Sequence, residues 1–193
     1  MRPKEVYKLG TLYKKGDGIE KDLDEAYVCF KSAAHRGSVS GRRELAECYM
    51  QGKGVAKDVT HGISHLMQAA DMGDQVAQCR LGLAYMAGDG VPKDLKKAYK
   101  RFLAGATRNN AKCQFNLGVC FANGQGVLRD EEMAFQYYMQ AAEQELPEAQ
   151  NNVGECYVTG SGVEQNVKEG MKWKKKASDR GLAEAQFKLG LTK

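Results

Sequence analysis

Residues 76–94 read VAQCRLGLAYMAGDGVPKD. Ala77, Leu81, Gly82 and Tyr85 stand 4, 1 and 3 apart, which places them on one stripe of a 3.6-residue period. The run predicts a helix whose apolar edge carries a small residue beside a leucine, so that another helix can come close. Gly88 follows and suits a left-handed C′ position, where a β-carbon costs roughly 1–2 kcal/mol. Asp94, six residues beyond, is a natural N-cap for a second helix. The stretch therefore reads as helix, G-x-G turn, helix.

The same pattern recurs along the chain with a period of 36 residues and no insertion. The glycine pairs are Gly16/Gly18, Gly52/Gly54, Gly88/Gly90, Gly124/Gly126 and Gly160/Gly162. In register with them run Leu9, Leu45, Leu81, Leu117 and Val153, then Tyr13, Tyr49, Tyr85, Phe121 and Tyr157. The N-cap place reads Asp22, Asp58, Asp94, Asp130 and Asn166, and Asp22 with Glu25 and Asn166 with Glu169 have capping-box spacing. In the second helices Phe30, Leu66, Phe102 and Tyr138 are expected to face the core, beside the small pairs Ala33/Ala34, Ala69/Ala70 and Ala141/Ala142. Gly37, Gly73, Asn109 and Gly181 should end those helices. Glu145 breaks that series just before Pro147, which predicts a local change between the fourth and fifth units.

Five repeats are thus expected at 3–38, 39–74, 75–110, 111–146 and 147–182, with a half repeat at 183–193. A single hairpin cannot bury its apolar stripe alone, so neighbours must stack. The expectation is one all-α domain over 1–193, a solenoid of helix-turn-helix units.

Composition agrees. The 193 residues are 42% hydrophobic and 27% charged, with 22 glycines and three prolines, a balance that excludes a disordered chain and permits a largely helical one. No apolar run approaches the roughly 18 residues of a membrane-spanning helix. The basic N-terminus lacks the apolar segment of a signal peptide, so the cytoplasm is the expected compartment. A net charge of +5 is compatible with an acidic partner without requiring one.

The run A-Q-x-x-L-G-x-x-Y-x-x-G-x-G-V-x-x-D, present at 77–94 and recognisable in PEAQNNVGECYVTGSGVEQN at 147–166, resembles the Sel-one-like repeat (SLR) family, 36-residue relatives of tetratricopeptide repeats. The resemblance covers nearly the whole chain. It implies a right-handed αα-superhelix whose concave face, lined by first helices, binds protein segments, with members acting as adaptors in signalling, quality control and complex assembly.

By the same resemblance the groove should be lined by positions flanking the packing stripe of each first helix. In the middle repeats these are Cys79, Leu83, Met86, Phe115 and Val119, with Val76 near. Arg43, Glu47, Asn151 and Glu155 flank them. An apolar centre with a polar rim is the anatomy of a partner site, although curvature could instead bury these side chains against neighbouring repeats. The predicted partner is a protein or peptide; no small-molecule substrate and no cofactor are expected.

Other features favour structural readings. Six cysteines without a C-x-x-C pair read as buried thiols, and Cys113 and Cys120, seven apart on one helix, are too distant to bridge. A cysteine-rich bacterial branch of the family staples each repeat with a disulfide and has been linked to β-lactam binding. The corresponding places here are alanines (Ala34, Ala70, Ala106, Ala142), and no serine is followed three residues on by lysine. His61 and His65 share a helix face without a third ligand near in sequence, and the place of His65 varies as a surface position does, so no metal site is expected. The basic runs Lys93, Lys96, Lys97, Lys100, Arg101 and Lys168, Lys172, Lys174, Lys175, Lys176, Arg180 read as solvated convex faces, with nucleic-acid or anionic-membrane binding the lesser alternative. The G-x-G pairs lack the further residues of a nucleotide loop, and no enzyme is expected. The reading is a non-catalytic adaptor; its runner-up is a structural segment of a longer array, or a unit associating end to end.

Overall fold

The computed structural model describes residues 2–179 and residue 181. Among these the chain forms ten α-helices and no strand: α1 (Pro3–Lys15), α2 (Leu23–His35), α3 (Val39–Gln51), α4 (Val59–Asp71), α5 (Gln75–Ala87), α6 (Leu95–Ala106), α7 (Ala111–Asn123), α8 (Glu131–Glu143), α9 (Pro147–Thr159) and α10 (Val167–Asp179). The half repeat expected at 183–193 and Arg180 lie outside the described residues. The chain divides into two compact units, Met1–Asp94 and Leu95–Lys193. In the first, α1 packs on α2, α2 on α3, α3 on α4 and α4 on α5; in the second the same succession runs from α6 to α10. Packing between successive helices is what a stack of helical hairpins requires.

Each turn is built as its residues predict. Gly16, Gly52, Gly88, Gly124 and Gly160 adopt left-handed φ angles of 66–81°, and each donates its N–H to the carbonyl four residues earlier. The N-cap residue then turns back onto its own hairpin. The N–H groups of Asp22, Asp58, Asp94, Asp130 and Asn166 donate to the carbonyls of Tyr13, Tyr49, Tyr85, Phe121 and Tyr157 at 2.8–3.0 Å. The side chains of Asp22, Asp58, Asp130 and Asn166 meanwhile accept first-turn N–H groups of the second helix.

The core follows the expected register. Phe30, Leu66 and Phe102, with Leu45, Leu81, Leu117 and Val153, are all but inaccessible, and Tyr138 is buried. Removing each of the larger side chains from water contributes about 1.5–3 kcal/mol. The small residue beside each leucine is obligatory: a β-carbon on Gly118 would stand 2.6 Å from Cδ1 of Tyr138, and one on Gly10 would stand 2.8 Å from Cε1 of Phe30.

One expectation is refined and another corrected. At the junction between the fourth and fifth units the expected change lies in the cap and not in the backbone at Glu145. Leu146 makes no side-chain hydrogen bond of the kind Ser38, Asp74 and Asn110 make, and Pro147 opens α9. Glu145 adopts φ 65°, the left-handed conformation that Gly37, Gly73, Asn109 and Gly181 take at the same place, so the backbone path holds and the side chain carries the strain. Lys174 is not part of a solvated face. It occupies the core place of Phe30 and Tyr138 and is buried, its stem lying over Gly154 while Nζ donates to Oε2 of Glu155 at 2.5 Å. A long aliphatic stem fills the apolar place and delivers the ammonium to a carboxylate at its rim.

Candidate protein-interaction faces

In the first unit the first helices α1, α3 and α5 are tied by charge. Lys14 Nζ meets Glu44 at 2.6 Å, Arg43 Nε lies 3.3 Å from the Asp74 carboxylate that caps α5, and Arg80 pairs with Glu47, which also accepts from Gln51. Arg43 and Glu47, expected as rim residues, are thus half-buried members of bonds that bridge neighbouring first helices. Their role in holding register is visible only in three dimensions.

On α5 two apolar side chains stand out of this charged setting. Val76 and Leu83 are 39% and 44% exposed, and seven residues is two helical turns, so they share a face. Met86 is half-buried. Cys79, expected beside them, is a correction: it is 5% exposed. In the second unit Asn151 is likewise buried, at 4%, rather than on a rim. Side-chain length explains both. The equivalent places hold Tyr7, Arg43 and Phe115, which are long enough to emerge and are half-buried, whereas cysteine and asparagine at the same register end beneath their neighbours.

Phe115 and Val119 on α7 are half-buried, and the Phe115 ring leans on Tyr138 with centroids 5.8 Å apart. Glu155 on α9 keeps a half-exposed side chain bonded to Lys174. Nearby, the small Ala122 stands where other repeats carry Met50, Met86 or Val158. It borders a cleft of about 370 Å³ with Tyr138, Asn152, Glu155 and Thr159.

One set of residues carries a role that pattern reading missed. The glutamine of the A-Q motif is buried. Gln78 Nε2 donates to the Ala70 carbonyl and Gln150 Nε2 to the Ala142 carbonyl, each at 3.3 Å; Arg42 reaches the Ala34 carbonyl in the same way at 3.1 Å. Each bond closes the end of one repeat's second helix with a side chain from the next repeat. Gln114 instead donates to Asn109 and Gln140. The signal was the recurrence of a long amide or guanidinium, rather than an apolar residue, at a core-facing place.

The remaining candidates are structural. The rings of His61 and His65 lie 5.1 Å apart and both pack on Tyr49, whose hydroxyl is 3.0 Å from that of Tyr27. The place of His65 is therefore no surface position: it is half-buried, as are Arg101, Tyr137 and Trp173 at the same place, and Cys29 there is buried; Tyr137 stacks on Phe121 in the same manner. Burial, then the neighbouring charges of His61, Arg42 and His35, hold the His65 imidazole below its usual range. All six cysteines are buried thiols, and burial pushes those of Cys48, Cys120 and Cys156 up to about 11, away from the thiolate a nucleophile needs. No helix among the described residues is long and apolar enough to cross a membrane.

Comparison with known proteins gives the same repeat register. The family profile described as Sel1 repeat matches residues 6–38, 40–74, 75–109, 111–146 and 147–182. A Sel1 repeat protein from Oxalobacter formigenes is similar over 98% of this chain and 77% of its own, with 29% identity and a TM-score of 0.94. The protective antigen c5321 of uropathogenic Escherichia coli, which displays an SLR fold, is similar over 98% of this chain at 28% identity and a TM-score of 0.89. Only 40% of that longer chain is matched. The immunity protein Pa5087 of Pseudomonas aeruginosa, at 20% identity over 96% of this chain and 68% of its own, with a TM-score of 0.63, shares the fold alone.

Proposed function

The chain belongs to the Sel1 repeat family, whose members are in general non-catalytic protein-interaction scaffolds, and from that premise we propose that it holds a partner protein or peptide on its first-helix faces. The observation that carries this reading is the pair Val76 and Leu83, large apolar side chains exposed two turns apart beside the charged bonds of Arg43, Glu47 and Arg80. An apolar patch within a polar surround supports a contact surface. Met86 in the first unit, and Phe115, Val119 and Glu155 in the second, are further proposed contacts.

The test is a double substitution, Val76→Glu with Leu83→Glu. Both side chains are exposed, so circular dichroism should be unchanged while capture of bound proteins is lost. Retention of those proteins by the folded variant would refute the reading. Phe115→Glu is the less clean probe, because the ring also supports Tyr138.

A second reading, association of copies through their ends, draws on Leu12. It is 37% exposed, whereas Cys48, Ala84, Cys120 and Cys156 at the same register are buried, Cys48 against Ala26 and Phe30 of the preceding helix. Sedimentation velocity decides: a concentration-dependent series that collapses to monomer in Leu12→Lys supports it, and a monomer at all concentrations rejects it.

A further inference from the structure

A second feature of the first unit is a cleft of about 950 Å³ between the start of α1 and the start of α3. That volume lies within the range of about 300–1,000 Å³ that ligand clefts occupy. Its walls include Arg2, Lys4, Tyr7, Lys8, Val39 and Ser40. Tyr7 is a fixed wall, since its ring rests on Phe30 with centroids 6.0 Å apart. Val39 opposes it with an apolar side chain.

The charge of this cleft is uneven. Its one carboxylate, Glu5, is engaged by Arg2, whose backbone N–H and Nε each donate to it at 2.8 Å. Those bonds hold the Glu5 carboxyl below the usual range. Lys4 and Lys8 are exposed and join no ion pair among the described residues, although Lys14, Arg43 and Arg80 on the first helices of this unit are all paired. The α3 N-terminus, capped by Ser38, adds a partial charge of the same sign. Two exposed ammonium groups outside any ion pair, Lys8 sharing only the field of the Arg2-bound Glu5, stand over an apolar floor and complement a chain that alternates acidic and apolar residues. Nucleic acid would call for a longer basic track with exposed rings for stacking.

We infer that this cleft receives an acidic, leucine-bearing peptide segment of a partner protein, its carboxylates on Lys4 and Lys8 and its apolar side chain between Tyr7 and Val39. This deepens the scaffold reading and rests on it, but the residues are distinct from Val76 and Leu83.

The probe is a fluorescein-labelled peptide, Asp-Glu-Leu-Asp-Glu-Leu-Asp-Glu, followed by anisotropy against the whole chain, with the Asn/Gln counterpart as control. The acidic peptide should bind at least about tenfold tighter than the control, a difference of about 1.4 kcal/mol. Binding should weaken severalfold as ionic strength rises from about 0.01 M to about 0.15 M, which shortens the Debye length from about 30 to about 8 Å. Lys4→Gln with Lys8→Gln should abolish the preference, and Val76→Glu with Leu83→Glu should leave it intact. Amide shifts on titration should concentrate at Tyr7, Lys8, Val39 and Ser40. Equal binding of the control peptide, or full binding by the Lys4/Lys8 variant, overturns the inference. So does a single-stranded oligonucleotide held as tightly through the same lysines, which would mark an unselective anion surface. If the peptide binds as expected while the α5 variant still captures its partners, the cleft stands and the α5 reading falls.

Discussion

The backbone at Gly54 lies so close to the first turn of α2 that a β-carbon there would overlap the carbonyl oxygen of Leu23. The same overlap recurs between Gly126 and Leu95 and between Gly162 and Glu131. The second glycine of each turn is thus the point where one repeat rests on the helix before it. In the first repeat Gly18 has nothing within 4 Å, yet keeps φ 74°. Gly18→Ala should therefore cost only the left-handed strain, roughly 1–2 kcal/mol. Gly54→Ala adds a backbone collision and should cost clearly more, about 3 kcal/mol or above. Urea midpoints of the two variants check the order.

Glu145 holds a glycine's conformation with a β-carbon, so Glu145→Gly should stabilise the chain by about 1 kcal/mol. Asn109 takes the same conformation, and its Oδ1 accepts from Gln114 and Gln144, each at 3.1 Å. Asn109→Gly gives up those bonds and should gain nothing. Thermal melting of the two variants checks the order.

His65 supplies a pH dependence. Its folded pKa is lowered, so between that value and the unfolded value near 6.5 the unfolded chain binds more protons. The stability from a neutral, ring-stacked His65 is complete above pH 6.5 and is lost as pH falls through the folded pKa. Tyrosine fills this place in the fourth repeat as Tyr137. His65→Tyr should flatten the fall in melting temperature below pH 6.5, and an undiminished slope would reject the assignment.

Lys174 should behave as an apolar stem carrying one charge. Lys174→Met keeps the volume over Gly154 and removes the bond to Glu155, and a loss of about 1 kcal/mol or less is expected. Lys174→Ala opens a void and should cost about 2–4 kcal/mol. Chemical denaturation of both variants distinguishes packing from pairing; equal losses would assign the effect to the ion pair.

The repetition of 36 residues by itself determined the helices, their turns and the buried series Leu45, Leu81, Leu117 and Val153, because each of those properties depends on local chain chemistry repeated in register. It also brought Val76 and Leu83 to notice as groove candidates. What only the tertiary structure decided is how far each side chain reaches past its neighbours. Register places Arg43, Cys79 and Asn151 alike, yet the arginine emerges to meet Asp74 while the two short side chains end under cover. Likewise a lysine in a basic run became a core residue once Gly154 and Glu155 stood beside it. Ion pairs between first helices, the closure of Ala70 and Ala142 carbonyls by Gln78 and Gln150, and the cleft at Lys4 and Lys8 join residues 8 to 36 positions apart. Periodicity says which face a residue occupies; the distance and size of what packs opposite decide whether it is core, tie or contact.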